Sequence, residues 1–404
     1  MFTCRVCGGN ELDLVVDLGI QPWCNNFLKL NELGQEPSYP LRVFFCNKCT
    51  TSQLDYTVKK EIMFGDHTYL SGITNSLSEH FKDIAEVSVN RFFPNVERSK
   101  INVLDIGSND GTQLQHFKEL GCNILGVESS KTTAKIAIKN EIPTINDFFN
   151  KKLADSLDNK FNIINASGVF FHLEELHSVT EGIKTILDEK GIFIVQFLYM
   201  KSIVENIAFD QIYHEHLLYY NLKPISYLLD LYGLEVFDAY LSPIHGGSMI
   251  AYVSHKGNSP KSKRLIKLIK EEEVNKSNEM ITYLNFSKDI DKLKEKDLRY
   301  LHRAKELGKT IYGFGAPVKG NTLLNYFQLD QSTIDCLVEK NPLRKGLFSP
   351  GTHIPILLED EIKELPDIYY VLAWNFKKEI LKRNSKLIDS GIEFYFPINP
   401  SIFK

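Results

Sequence analysis

The sequence lacks the features that would point to a membrane or to nucleic acid as a partner. It has no apolar run of about 18 residues, the length that spans a bilayer. Its first residues contain no apolar stretch of the kind a signal peptide carries. Acidic residues number 51 and basic residues 47, for a net charge of -4, so no basic excess is available to neutralise phosphates. We therefore expect a cytoplasmic protein that binds neither membranes nor nucleic acid.

The chain also lacks internal repeats and low-complexity tracts, and it is too long for one hydrophobic core. Its 404 residues, 43% of them hydrophobic, favour two or three folded domains. Changes in composition and pattern predict three domains, at residues 1–56, 57–257 and 258–404.

Short apolar runs alternate with helix-length segments in the second and third of these blocks. This alternation is typical of βαβ units and a parallel sheet. A lysine-rich helical stretch, about 260–308, separates the two series. The predicted fold class is therefore α/β, with a Rossmann-like middle domain and a second Rossmann-like C-terminal domain. The predicted strands are 102–106, 123–127, 161–165 and 191–196 in the middle block, and 310–314, 333–338 and 368–373 in the last.

Cysteines are few, and their number, seven, is odd, which argues against a disulfide framework. Four of them form two CxxC pairs near the N-terminus. Four thiolates at this spacing suit tetrahedral zinc, and a closed four-sulfur shell predicts a structural ion in a small N-terminal domain rather than a catalyst. Chance pairing of buried cysteines is the alternative. The predicted ligands are Cys4, Cys7, Cys46 and Cys49, whereas Cys24, Cys122 and Cys336 are expected to be simple buried residues.

A glycine turn follows the first strand of the middle block, at Gly107 to Gly111, and opens a helix. Such a turn lets the backbone approach a ligand closely. Asn109 and Thr112 stand where the dinucleotide motif G-x-G-x-x-G has its later glycines, which weakens an NAD interpretation. Glu128 ends the next strand, where an acidic side chain can accept both ribose hydroxyls. A generic Rossmann turn is the alternative, and it would still bind a nucleotide.

The run Asp-Ile-Gly-Ser with this acidic partner resembles the class I S-adenosylmethionine methyltransferases. The resemblance extends to an Asp-Phe pair near the expected adenine edge and to the helix-to-strand passage at 186–194. It implies S-adenosylmethionine as cofactor. The implied cofactor contacts are Asp105, Gly107, Ser108, Asn109, Gly111, Glu128, Asp147 and Phe148.

Titratable and aromatic residues are concentrated in the run Tyr213-His-Glu-His216 near the end of the middle block. As a loop, this run could present a base; as a strand, it would place His214 and His216 on one face. A metal pair is a further alternative, although the helical HExxH spacing is missing. Structural histidines are the remaining interpretation.

A second glycine turn, Gly313-Phe-Gly315, opens the C-terminal series and is followed by Lys319 and Asn321. It suits a diphosphate at the start of a helix. Val318 occupies the third glycine position of the dinucleotide motif. A dinucleotide site or a mere remnant of the fold are the alternatives to a substrate nucleotide.

The paired CxxC knuckles, the Asp-Ile-Gly-Ser-Asn-Asp-Gly turn, Tyr-His-Glu-His and the late Gly-Phe-Gly-Ala-Pro-Val-Lys-Gly-Asn occur in this order along essentially the whole chain. Together they resemble the nucleotide-sugar C-methyltransferases, which include the C-3 methyltransferases of deoxysugar biosynthesis. The resemblance implies His216 as the base and a nucleotide-linked keto-deoxysugar as the small-molecule substrate. It further implies active-site roles for Tyr69, His172, Tyr213 and Glu215, and substrate contacts for Lys319 and Asn321.

The chemistry agrees with these roles. A carbon next to a ketone becomes nucleophilic once a base removes its proton, and histidine titrates in the right range. The enolate oxygen then needs donors, for which Tyr69, His172 and Tyr213 are candidates. Three alternatives remain at this point: methylation of a sugar hydroxyl, an NAD-dependent oxidoreductase, and a non-catalytic protein that binds nucleotide sugars.

Overall fold

The computed structural model describes residues 2–64, 70–73 and 75–399, and their strands form three β-sheets. The strands are β1 (Leu12–Pro22), β2 (Ser38–Cys46), β3 (Ser52–Leu54), β4 (Asn102–Ile106), β5 (Asn123–Val127), β6 (Thr144–Ile145), β7 (Phe161–Ser167), β8 (Leu187–Leu198), β9 (Leu218–Tyr219), β10 (Leu234–Ser242), β11 (Ser248–His255), β12 (Ile311–Phe314), β13 (Cys336–Glu339), β14 (Ile356–Leu358), β15 (Ile368–Val371) and β16 (Glu393–Tyr395). The α-helices are α1 (Lys60–Phe64), α2 (Asn75–Phe92), α3 (Thr112–Glu119), α4 (Lys131–Lys139), α5 (Lys151–Asp155), α6 (Leu176–Ile186), α7 (Met200–Glu205), α8 (Leu222–Asp230), α9 (Lys263–Val274), α10 (Met280–Glu306), α11 (Gly320–Phe327), α12 (Lys377–Arg383) and α13 (Ser385–Asp389).

The first sheet is antiparallel, with the order β1-β2-β3-β9. Its long β1–β2 hairpin runs from the cysteine pairs, where Leu12 lies opposite Cys46, to a far end where Pro22 lies opposite Ser38. Its last strand, β9, comes from the middle of the chain, and Tyr219 pairs with Ser52. The N-terminal sheet therefore anchors the chain three residues after His216.

The second sheet has the order β10-β11-β8-β7-β4-β5-β6. Strands β4 to β8 are parallel, and β11 is antiparallel to both of its neighbours. The strand order reverses between β4 and β7, and ligands of open α/β sheets bind at the carboxyl edge of such a switch point. The α/β prediction is confirmed, and β4 and β5 have the predicted limits.

The third sheet is wholly parallel, with the order β14-β13-β12-β15-β16. It follows α9 and α10 and repeats the strand, glycine turn and helix arrangement at β12 and α11. The main hydrophobic core contains buried side chains from all three sheets, including Val43, Val195 and Leu337. The three parts therefore pack against one another as one body. Across the described ranges, no helix combines the length and apolar character needed to cross a membrane.

Candidate active site and zinc centre

The four predicted zinc ligands converge at one end of the β1–β2 hairpin. All four Sγ atoms lie within 4.8 Å of one another, with 3.5 Å between Cys4 and Cys49 and 3.6 Å between Cys7 and Cys46. Zinc–sulfur bonds of about 2.3 Å in a tetrahedron separate the sulfurs by about 3.8 Å, so the cluster fits zinc with little adjustment. Cys24, Cys122 and Cys336 are buried outside it. These four cysteines would hold the ion, and a closed four-sulfur set would stabilise the fold.

The glycine turn after β4 leaves bare backbone at the carboxyl edge of the middle sheet. Gly107 is exposed and has a φ of +70°, and a Cβ there would lie 2.6 Å from Cγ2 of Val169. Gly111 has a φ of +83° and would bring a Cβ to 2.8 Å from Ile142. Larger residues at either position would strain the backbone and disturb the packing. The backbone at Gly107 is therefore accessible to a bound cofactor.

Glu128, at the end of β5, lies against this turn. Its Oε2 accepts the Asn109 N–H at 2.8 Å and its Oε1 accepts the Ser130 N–H at 2.8 Å. Burial raises the pKa of Glu128. Since each carboxylate oxygen accepts more than one hydrogen bond, the amides fix the carboxylate and leave acceptor capacity for ribose hydroxyls. The residues present fit the predicted ribose contact.

Two further cofactor candidates are buried beneath the turn with polar atoms that lack partners among the described residues. They are Asp105 Oδ1 and the Ser108 hydroxyl. Burial, and secondarily the nearby Glu128, raise the pKa of Asp105 well above its usual range. Such unsatisfied groups are typical of sites that complete their bonding with a ligand or water.

Asp147 and Phe148 follow β6 on the rim of the same edge. Asp147 is exposed, and the Phe148 ring lies 4.6 Å from the Lys60 ammonium of α1. The neighbouring Asn146 amide donates to the Glu128 carbonyl at 2.8 Å. The predicted adenine edge is therefore contiguous with Glu128.

The short segment 70–73 lies over the turn. The Ser71 N–H donates to Asn109 Oδ1 at 3.0 Å, and the Gly72 N–H donates to Asp110 Oδ2 at 2.9 Å. No role for Asp110 was predicted, although an Asp in such a turn commonly accepts the N–H two residues on, as Asp110 Oδ1 does from Thr112 at 3.1 Å. Tyr69, the predicted active-site tyrosine, falls outside the described residues.

Residues 210–216 include the predicted catalytic run Tyr213 to His216 and are called the catalytic segment after that prediction; they form a loop that ends in a tight turn. The His216 N–H donates to the Tyr213 carbonyl at 2.8 Å, which excludes an extended strand here. The two histidines consequently point to different neighbours. The His214 ring packs 5.7 Å from Tyr39 of the N-terminal hairpin, whereas the His216 ring lies 4.6 Å from Phe171. Of the alternatives left open by the sequence, the loop is the observed one.

His216 is buried, and its Nδ1 lies 2.7 Å from the Gln211 carbonyl oxygen. A carbonyl only accepts, so Nδ1 carries the proton and Nε2 carries the lone pair. Burial, with His172 as the next cause, lowers the pKa of His216 well below its usual range. The ring is therefore neutral, with the lone pair on Nε2; burial also weakens it as a base, and a negative charge developing beside it would raise its pKa again.

The other predicted catalytic residues differ in how closely their side chains approach the His216 ring. Tyr213 and His172 have ring centroids 3.7 Å and 5.1 Å from that of His216, and His172 Nδ1 donates to the Glu215 carbonyl at 2.6 Å. The Glu215 carboxylate instead accepts the Trp23 indole N–H at 2.8 Å. Burial raises the pKa of Glu215 to about 7. The structure thus brings His172, Tyr213 and His216 together and turns the Glu215 side chain toward the N-terminal domain.

The second glycine turn packs against the catalytic segment. The Lys319 ammonium lies 3.6 Å from Asp210 Oδ2 and 3.5 Å from the centroid of the Trp374 ring. Burial lowers the pKa of Lys319 to about 8. Asn321 is buried, and its amide nitrogen donates to the Cys24 carbonyl at 2.7 Å. Lys319 therefore reaches the site, whereas the Asn321 amide joins the C-terminal and N-terminal domains.

Sequence reasoning missed the groups that hold the catalytic segment, namely Trp23, Asp210, Gln211 and Trp374. None belongs to a motif with fixed spacing. The one available signal was scarcity, because the chain contains only two tryptophans and both contact this segment.

Comparison with known families matches three consecutive parts of the chain. A zinc binding domain matches residues 4–64, a methyltransferase domain matches 78–239, and a C-methyltransferase C-terminal domain matches 243–399. The C-methyltransferase NovU of Streptomyces niveus is 27% identical over 401 residues, which cover 98% of this chain and 95% of NovU.

Solved structures also resemble part of the chain. Magnesium protoporphyrin IX methyltransferase of Synechocystis PCC 6803 with bound SAH covers 47% of this chain and 89% of its own, at 15% identity and a TM-score of 0.35. The CcbJ methyltransferase of Streptomyces caelestis covers 49% of this chain and 97% of its own, at 12% identity and a TM-score of 0.35.

The fold, the turn at β4 and the matching domains define an S-adenosylmethionine-dependent methyltransferase with a zinc centre. More particularly, three consecutive parts of the chain match the zinc binding, methyltransferase and C-methyltransferase C-terminal domains, and over nearly its whole length the chain is similar to a C-methyltransferase. The oxidoreductase and the non-catalytic alternatives are thereby set aside.

Proposed function

We propose that the enzyme methylates the carbon next to the ketone of a nucleotide-linked keto-deoxysugar, with His216 as the base. The observation that carries this proposal is the bond from His216 Nδ1 to the Gln211 carbonyl, which leaves the Nε2 lone pair available. A carbon acid needs a neutral, fixed base of this kind. A sugar hydroxyl is more acidic than this C–H group and would need a weaker base.

The chain's own residues account for the proton and the developing charge. His216 Nε2 takes the proton, and the electron pair of the broken C–H bond moves into the ketone to form an enolate. His172 and Tyr213 lie against the His216 ring and are the proposed donors to the enolate oxygen. S-adenosylmethionine, when bound, supplies the electrophilic methyl group for the enolate carbon. The proton on His216 is finally released to solvent.

The proposed cofactor contacts lie along the carboxyl edge of the middle sheet. Glu128 binds the ribose hydroxyls, and the rim beyond β6 receives the adenine. The remaining proposed contacts are Asp105, Gly107, Ser108, Asn109, Gly111, Asp147 and Phe148.

The proposed substrate contacts come from the C-terminal domain. Lys319 supports this role because its ammonium lies beside the catalytic segment, 3.6 Å from Asp210 Oδ2, and can make further hydrogen bonds. Asn321 would contact the substrate through its carbonyl oxygen, since its nitrogen donates to Cys24.

Proton exchange tests the base directly. The substrates are 4-keto-6-deoxyhexoses linked to a nucleoside diphosphate, with thymidine, uridine, cytidine or guanosine as the nucleoside. Each is incubated with the enzyme in deuterated water, and NMR measures the deuterium at the carbon next to the ketone. We expect exchange with the wild type and a loss of at least about 1,000-fold in His216→Ala, since removal of a catalytic base leaves little else to accept the proton.

His214→Phe is the matched control. The His214 ring packs on Tyr39 and on the backbone of the N-terminal hairpin, so phenylalanine keeps the packing. This variant should exchange at close to the wild-type rate. Exchange retained in His216→Ala would remove His216 as the base. With labelled cofactor, a methyl group bonded to carbon supports the proposal, and a methoxy signal contradicts it.

A further inference from the structure

The catalytic segment carries two buried carboxylates, and each accepts a hydrogen bond from a tryptophan of a different domain. Trp23 follows the far end of the N-terminal hairpin, and its indole N–H donates to Glu215 at 2.8 Å. Trp374 follows β15 of the C-terminal sheet, and its indole N–H donates to Asp210 at 2.6 Å. These residues are the only two tryptophans of the chain.

Each of these contacts lies directly next to a backbone carbonyl that holds a histidine ring. Asp210 precedes Gln211, whose carbonyl accepts His216 Nδ1 at 2.7 Å. On the other side, Glu215 itself supplies the carbonyl that accepts His172 Nδ1 at 2.6 Å. A displacement of either carboxylate would therefore move the atom that fixes the tautomer and direction of one imidazole.

The two attachments differ in their second partners. Asp210 also has the Lys319 ammonium at 3.6 Å, over the Trp374 ring. Glu215 has a further hydrogen bond to the Asn25 side chain, and Arg344 of the C-terminal domain donates to Asn25 Oδ1 at 3.3 Å. Buried carboxylates need such donors, because an unpaired one costs far more than the bond itself stabilises.

We infer that Trp23 and Trp374 are positioning residues of the reaction, each of which aims one histidine of the site by anchoring a carboxylate of the catalytic segment. Trp374 acts on His216 through Asp210 and the Gln211 carbonyl. Trp23 acts on His172 through Glu215. The zinc domain and the C-terminal domain thereby take part in the chemistry without touching the reacting atoms. The inference rests on the proposed function for the roles of the histidines.

The kinetic test replaces each indole by an aromatic ring without the donor. Trp23→Phe and Trp374→Phe should each lower kcat about tenfold, the scale of one lost hydrogen bond to a charged group. KM for the best-used sugar of the panel above and KM for S-adenosylmethionine should stay within about threefold, because neither tryptophan is proposed to contact them and phenylalanine at 374 keeps an aromatic ring beside Lys319.

Tyr370→Phe is the matched control. The Tyr370 hydroxyl donates to the buried Asp297 at 2.8 Å, within the C-terminal domain, rather than to a carboxylate of the catalytic segment. This variant loses the same kind of bond and should lose thermal stability comparably while keeping its kcat. Wild-type kcat in both tryptophan variants, or an equal loss in Tyr370→Phe, would overturn the inference.

A second measurement needs no substrate and so separates this inference from the proposed function. Protein labelled with ¹⁵N at tryptophan and histidine should show two indole signals, each lost in one of the two variants. We expect Trp374→Phe to shift the His216 ring signals and Trp23→Phe to shift those of His172. Unchanged histidine signals in both variants would overturn the positioning role, whereas absent proton exchange by the wild type would overturn only the proposed reaction.

Discussion

The chain contains the same strand, glycine turn and helix twice, at β4 and at β12, and the two copies share more than their outline. In each, an acidic residue at the end of the next strand accepts a backbone N–H from the turn. Glu128 accepts from Asn109 at 2.8 Å, and Glu339 accepts from Ala316 at 2.7 Å. The two turns therefore share the same local backbone arrangement.

What lies on top of each turn differs. Gly107 is exposed at the edge of the middle sheet. In the C-terminal domain, the residues after the turn are buried against the rest of the protein: Asn321 donates to Cys24, and the Thr322 hydroxyl donates to the Ile212 carbonyl at 3.1 Å. The first turn faces a ligand space, whereas the second supports the catalytic segment. A turn of this type thus reports a fold, and its neighbours decide its use.

Removal of zinc should give the largest difference between methyl transfer, which depends on the surroundings of the second turn, and cofactor binding, which depends on the first turn. A chelator should lower methyl transfer by more than about 100-fold, because structural zinc binding is coupled to folding of its domain and that domain holds Trp23 and Cys24 against the site. The affinity for S-adenosylmethionine, measured by calorimetric titration, should change less than about threefold. The cofactor turn lies in a different sheet.

The matched variants for this experiment are Cys46→Ser and Cys122→Ser. Cys46 is one of the four clustered thiols, and Cys122 is a buried thiol outside the cluster. Only the first should reproduce the effect of the chelator. If removal of zinc also abolishes S-adenosylmethionine binding, the two turns do not have the separate roles described above.

Removing the acidic residue of each turn is the next most sensitive comparison. Glu128→Ala should weaken S-adenosylmethionine binding about 10- to 100-fold, since it removes acceptors for ribose hydroxyls and releases the Asn109 amide. Glu339→Ala releases the Ala316 amide in the same way and serves as the internal control. It should leave cofactor affinity within about twofold. Equal losses of S-adenosylmethionine affinity in the two variants would show that the cofactor does not bind preferentially at the first turn.

The features that could be predicted from the sequence are those encoded locally. The CxxC pairs and the turn at Gly107 have fixed short spacings, and the apolar runs at 102–106 and 123–127 coincide with β4 and β5. The choice between loop and strand for the catalytic segment could not be made, because it depends on a backbone turn and on β9 joining a distant sheet.

The attachments of the catalytic segment are the clearest features that could not be predicted. Trp23 and Glu215 are 192 residues apart, and Asp210 and Trp374 are 164 apart. Contacts at such separations leave no periodicity or spacing in a single sequence, since they depend on how whole domains pack. Family resemblance grouped Glu215 with the base. The structure shows that its side chain points to another domain.

The charge of Glu215, in the catalytic segment, provides the smallest expected effect. Burial raises the pKa of folded Glu215 to about 7, above the value of about 4.3 expected in an unfolded chain. The fold therefore prefers the protonated form, so stability falls as pH rises from about 4.3 to about 7 and is constant above that. Glu215→Gln cannot ionise and keeps an oxygen for the Trp23 indole. It should raise the thermal midpoint by roughly 3 °C at pH 8 and by much less at pH 5.

Differential scanning calorimetry at the two pH values measures this difference, with Glu295→Gln as the control. Glu295 lies on α10 with 70% of its side chain exposed, so its charge is solvated in the folded protein and its removal should have the same small effect at both pH values. A midpoint that falls equally at pH 5 and pH 8 in Glu215→Gln would mean that the Glu215 charge stabilises the segment. Burial of the Glu215 charge would then not lower stability, and the attachment of the segment to Trp23 would favour the ionised carboxylate.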